Sequence, residues 1–108
     1  MSLKVPGLAT LKKYGLSLEE WEQIADSQGR VCAICKGLPK SGSGILHIDH
    51  HHIKMWKRLK PEVRKTFVRG LACFRCNSQF MRRGLTANLA KEIYEYLKKY
   101  EATKPEIK

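Results

Sequence analysis

Two Cys-x-x-Cys pairs, Cys32/Cys35 and Cys73/Cys76, are separated by 37 residues, with Asp49-His50-His51-His52 between them and Asn77 directly after the second pair. Thiolates are the natural ligands of structural zinc, and tetrahedral coordination takes four of them. Two tight knuckles present two sulfurs apiece to one point, so the chain must fold back until its halves meet at one ion. The gap is long for a plain zinc ribbon. Something is inserted, and the insert carries the histidines. Two other readings of the cysteines stand beside zinc bound through all four. One is reduced thiols packed in a core; the other is mixed ligation in which His47 or His51 replaces a cysteine.

With 108 residues the chain has room for one domain, expected over 1–108 with its core at about 8–100. A core of that size is modest, so a metal staple would contribute much of the stability. No apolar run approaches the ~18 residues that a membrane span needs. Met1 to Gly7 lacks a hydrophobic signal core. An intracellular location is therefore expected. In a reducing cytosol such cysteine pairs bind metal far more often than they form disulfides.

Charge is placed unevenly. From Ser27 to Lys91 there are 14 Lys and Arg against two acids, Asp49 and Glu62, whereas the two ends together hold 7 Lys and Arg against 8 acids. The whole excess of the +11 chain lies on the segment with the cysteines and histidines. Such a field draws in a polyanion, and nucleic acid, here DNA, is the expected partner rather than a membrane.

Local signals divide the chain. Residues 8–14 read as a short helix ending at Gly15. Ser17-Leu18-Glu19-Glu20 is a capping box, with Leu16 and Trp21 spaced as a hydrophobic staple. The helix that follows puts Trp21, Ile24 and Ala25 on one face and stops near Gly29. Lys40 to Gly44 reads as a mobile Ser/Gly loop. Ile45 to His50 alternates and reads as a strand ending at the histidines; Phe67 to Ala72 is a second strand leading into Cys73. Between them lies a basic stretch interrupted by Pro61, with a helical turn from Glu62 to Phe67. Asn77 to Arg83 fits a short helix closed by Gly84. Thr86 caps a last helix whose stripe of Leu89, Ile93, Tyr96, Leu97 and Tyr100 is expected to face a core. The tail from Thr103 is polar and expected to fray.

The Asp-His-His-His run offers more polar ligands than a zinc staple needs. Hard cations such as Mg²⁺ prefer oxygen, which suits Asp49, with a neutral imidazole as second choice. An imidazole titrating near neutrality suits deprotonation of water. Asn77 reads either as a cap for the next helix or as an amide held rigidly by the zinc knuckle. A metal-stapled, basic protein with an oxygen- and nitrogen-rich second site is expected to cut a phosphodiester.

Taken in order, four stretches resemble the HNH, or ββα-metal, endonucleases, and most closely the phage recombination endonuclease VII branch. They are residues 11–21 (LKKYGLSLEEW), Cys32-Ala33-Ile34-Cys35, Ile48-Asp49-His50-His51-His52, and residues 68–77 (VRGLACFRCN). The resemblance implies an α+β fold, a small zinc-stapled ββα-metal nuclease domain with flanking helices. It also implies roles. Cys32, Cys35, Cys73 and Cys76 would hold structural zinc. Asp49 and Asn77 would bind the catalytic cation, Mg²⁺ or Mn²⁺. His50 would activate the attacking water, and His52 would contact the scissile phosphate. Arg69 would reach a phosphate oxygen from the second strand. One acidic ligand implies a one-metal scheme, leaving 5′-phosphate and 3′-hydroxyl ends. A phage-encoded protein acting in the bacterial host cytoplasm, with or without a recombination or packaging partner, fits the same resemblance.

The chain departs from that pattern in two places. The segment from Ile53 to Val68 is longer than the compact loop of the branch. Its Lys54, Lys57, Arg58, Lys60, Arg64 and Lys65 make it a DNA-contacting arm, to which Arg82 and Arg83 add further cations. Trp56 reads either as a stacking wedge or as a core residue. In addition, the branch's junction resolvases dimerise through extended helices, and only one ordinary helix follows the motif here. Monomer and homodimer both stay open. The expected function is a metal-dependent DNA endonuclease of low sequence specificity. The alternatives are a Holliday-junction resolvase-like enzyme and a non-catalytic, zinc-stabilised DNA-binding module.

Overall fold

The computed structural model describes residues 3–39, 44–81 and 85–103. Most of the Ser/Gly loop, Arg82, Arg83, Gly84 and the tail beyond Thr103 lie outside the described residues.

Helix α1 spans Leu8–Lys13 and α2 spans Leu18–Ser27. The capping box forms in both directions: the Ser17 hydroxyl accepts from the Glu20 N–H at 3.1 Å, and the Glu20 carboxylate accepts from the Ser17 N–H at 2.9 Å. Such a cap is worth about 1 kcal/mol. Leu16 and Trp21 are both buried, as a staple requires. Gly15 joins the two helices with φ 71°, and a side-chain carbon there would overlap the Pro61 carbonyl. Only glycine lets the α1–α2 turn and the insert pack this closely.

Strands β1 (His47–His50) and β2 (Val68–Ala72) pair antiparallel, each slightly shorter than its alternating pattern. Ile48 and Leu71 face each other and are buried with Leu3, Leu11, Leu16, Trp21, Ala25, Cys32, Leu46, Ala72 and Cys76. The Gln28 amide extends this ladder. It accepts from the Leu71 N–H at 3.0 Å and donates to the Leu71 carbonyl at 2.9 Å, tying the end of α2 to β2.

The insert between the strands is ordered structure rather than a plain loop. Trp56–Arg58 is a 3-10 turn, α3 spans Pro61–Arg64, and Lys65–Phe67 is a second 3-10 turn. Pro61 begins α3 instead of breaking it, because its missing N–H would have no partner in the first turn anyway. After β2 the chain enters a π-helical turn, Cys76–Phe80, shorter than the helix expected over 77–83. Asn77 sits inside this turn and does not cap it; its N–H donates to the Cys73 carbonyl at 2.9 Å.

The final helix, α4 (Ala87–Glu101), starts at the expected Thr86 cap, whose hydroxyl accepts from the Leu89 N–H at 3.1 Å. Its apolar stripe overturns an expectation. Leu89, Ile93, Tyr96, Leu97 and Tyr100 are 46–76% exposed and do not face the core. Helical periodicity shows that a face is apolar, not that the same chain covers it. No helix among the described residues is long and apolar enough to cross a membrane.

Candidate active site and metal centre

The first knuckle closes through the Cys32 N–H to the Gly37 carbonyl (2.9 Å) and the Lys36 N–H to the Cys32 carbonyl (3.0 Å). β2 and the π-helical turn bring the second pair to meet it. All four sulfurs lie within 4.8 Å of one another, and the Sγ atoms of Cys35 and Cys73 are 3.9 Å apart. A tetrahedron with ~2.3 Å zinc–sulfur bonds has edges of about 3.8 Å, so the donor set and its spacing fit zinc. Backbone N–H groups of Ile34 and Cys73 point at the Cys32 sulfur from 3.4 and 3.3 Å. Burial pushes the Cys32 thiol up, but these N–H groups outweigh it and bring its pKa down to about 6. Burial and the neighbouring sulfurs push Cys76 up to about 12. Neither His47 nor His51 joins this donor group, which consists of the four cysteines. Among the described residues the cysteines are the only group of three or more Cys, His, Asp or Glu side chains placed to hold one ion.

The Asp-His-His-His run fans out from the end of β1. Asp49 is buried. Both of its oxygens accept from Arg69, whose Nη2 also donates to the His50 carbonyl at 3.2 Å. A bulge makes this geometry. Asp49 pairs with Gly70 but His50 with Val68, leaving Arg69 as the extra residue of β2 beside the carboxylate. The rings of His50 and His52 lie with centroids 4.8 Å apart. They line a cleft of about 400 Å³ with Lys13, Ile53, Met55, Trp56, Lys57 and Arg58. Burial lowers the His50 pKa below the usual imidazole value; His52, Arg69 and Lys13 push the same way, and Asp49 opposes them. This shift favours the neutral imidazole. Tyr14 stands against His50 at 5.3 Å, and its phenol is held above the usual range by burial and then by the Asp49 charge. Asn77 lines a neighbouring cleft with Tyr14, His47 and Ile48.

The cations of the insert divide into two sets. Lys57 and Arg58 line the His50 cleft, while Lys54 and Lys60 are exposed. Arg64 is spent inside the protein, donating to the carbonyls of Lys13 (3.1 Å) and Lys57 (2.7 Å). Lys65 pairs with Glu20 at 2.8 Å, and this lowers the Glu20 pKa.

The family model for recombination endonuclease VII matches residues 8–99. The chain belongs to the recombination endonuclease VII family. Comparison with curated proteins gives no significant match, and comparison with solved structures gives none either. In this endonuclease VII family chain the matched region contains the cysteine cluster, both strands and the histidine cleft.

Lys13 and Tyr14, beside the His50 cleft, and Gln28, which braces β2, were given no role from the sequence. Lys13 and Tyr14 belong to the Leu11-to-Trp21 stretch that carries the resemblance, and that stretch was their only signal. Gln28 had none, because a side-chain amide that completes a ladder leaves no periodic trace.

Proposed function

We propose that the protein hydrolyses DNA phosphodiester bonds with His50 as general base and one divalent cation, Mg²⁺ or Mn²⁺, held by Asp49 and Asn77. The observation that carries this reading is a half-buried imidazole at the end of β1, next in sequence to a buried carboxylate and lining a cleft with Lys13, Lys57 and Arg58. Family membership supports the endonuclease class and DNA as the substrate. One carboxylate and one amide form an oxygen donor set suited to a hard cation.

When bound, such a cation neutralises charge on the phosphate and on the departing 3′ oxygen. The chain's own residues do the rest. Lys13, Lys57 and Arg58 draw the phosphate backbone to the cleft. A ring nitrogen of His50 takes the proton from the attacking water as it adds to phosphorus. His52 donates to a phosphate oxygen.

The test is cleavage of supercoiled plasmid by zinc-loaded protein with Mg²⁺ or Mn²⁺, for wild type and His50→Ala. Nicking by wild type and its loss in the folded, DNA-binding variant are expected. Cleavage that survives in pure His50→Ala would remove the base assignment. Binding without cleavage under any divalent cation would leave a non-catalytic module.

A second reading, a four-way junction resolvase, draws on the family and on the exposed apolar face of α4. It requires a preference for four-way junctions over linear duplex, and a dimer by light scattering.

A further inference from the structure

Trp56 lies in the middle of the basic insert, yet it is only 8% exposed. A residue that wedges into DNA must present its ring, and this one does not. Its indole packs against the His50 imidazole with centroids 4.6 Å apart and planes only 31° from parallel. Tyr14 meets both rings, at 5.3 Å from His50 and 5.4 Å from Trp56. The guanidinium of Arg64 lies over the indole at 5.1 Å. That guanidinium is fixed by its bonds to the carbonyl of Lys13 at the end of α1 and to that of Lys57 in the 3-10 turn. The chain enters this turn through Met55 in the left-handed region (φ 62°), a costly conformation for a residue with a side chain. Three separate segments therefore converge on one indole, and the indole rests on one imidazole.

We propose that Trp56 is a positioning residue for catalysis: its flat face, held by Arg64 and Tyr14, sets the orientation of the His50 ring toward the attacking water. This rests on the reading of His50 as the base. The insert then has a second purpose besides its cations, which is to carry this platform to the end of β1. Free rotation of an imidazole on a strand end would spread its nitrogens over many directions, and misplacement of a catalytic group by ~1 Å costs about a hundredfold in rate. The indole N–H is buried and has no hydrogen-bond partner among the described residues. The ring's contribution is thus its face and not its polar edge, so another aromatic ring should substitute for it.

The test uses the whole 108-residue chain, zinc-loaded, in a plasmid-nicking assay over a range of DNA concentrations that spans KM. Trp56→Phe keeps a flat face, whereas Trp56→Met keeps bulk without one. Trp56→Met is expected to lower kcat between about ten- and a hundredfold with KM within about twofold of wild type, and Trp56→Phe to recover most of the loss. Equal kcat in all three proteins overturns the proposal, as does a Trp56→Met defect confined to KM. Should Trp56→Met not fold, wild-type protein still decides. Nuclear Overhauser contacts between the ring protons of His50 and Trp56 must be present, and their absence overturns the proposal. The two readings separate cleanly. Full cleavage by His50→Ala removes the base assignment; an inactive His50→Ala beside a fully active Trp56→Met removes only the role of Trp56.

Discussion

Arg69 grips Asp49 with two hydrogen bonds, Nε to Oδ2 at 2.9 Å and Nη2 to Oδ1 at 3.1 Å. The two residues are 20 apart in sequence and meet because a bulge leaves Arg69 unpaired beside the carboxylate. The guanidinium stands as the counter-ion of a buried acid that would otherwise be left alone, and unpaired buried charge is costly. The Arg69 side chain is 37% exposed, so solvent screening reduces the effect.

Arg69→Leu should therefore destabilise zinc-loaded protein lacking Mg²⁺ and Mn²⁺ by about 1–3 kcal/mol in urea unfolding. Added Mn²⁺ should then stabilise the variant more than wild type, because Asp49 is free to take the cation. Equal Mn²⁺ shifts in the two proteins would show that Arg69 and the cation do not compete for this carboxylate.

The cysteine cluster leads to a prediction about folding. Elemental analysis should find one zinc per chain, and Cys76→Ser, at a fully buried ligand, should bind it poorly. Structural zinc binding is worth on the order of 10 kcal/mol, comparable to the whole stability of a small domain. A strong chelator should abolish the cooperative thermal transition seen by circular dichroism. A zinc-free protein that still melts cooperatively near the wild-type temperature would refute the role of the cluster.

DNA affinity should fall steeply with salt, since each phosphate neutralised contributes about −0.9 to the log–log slope. Lys57→Ala should flatten the slope by about 1, because Lys57 lines the histidine cleft. Lys65→Ala should leave it nearly unchanged, because its ammonium is already engaged by Glu20 at 2.8 Å. Reversed outcomes for these two lysines would relocate the DNA path to the far side of the insert.

Acid should switch cleavage off late. His50 must be neutral to accept a proton, and burial lowers its pKa below the ordinary ~6.5 of an imidazole. The neutral form therefore predominates from alkaline pH down through 6.5, and activity should fall only as pH drops through the lowered value. A rate profile with its acid limb above pH ~7 would point to a different base.

Much of the site can be read from short-range pattern. The spacing within each Cys-x-x-Cys pair, the Ser17–Glu20 cap and the two alternating strands are local, and each formed as its residues imply. The run 49–52 announced chemistry but not direction. One extra residue in β2 decides that Arg69 reaches Asp49, and no periodicity reports a bulge 20 residues away. Arg64 and Lys65 read as DNA contacts, yet the fold engages one with backbone carbonyls and the other with Glu20.

The amino-acid order by itself determined which atoms can bind metal and which segments can become helix or strand, because ligand type, capping and side-chain alternation act over a few bonds. Only the tertiary structure decided that Trp56 lies under His50, and that the apolar stripe of α4 lies exposed. Those outcomes depend on where distant segments come to rest, and close packing settles that by excluding every arrangement whose surfaces do not fit.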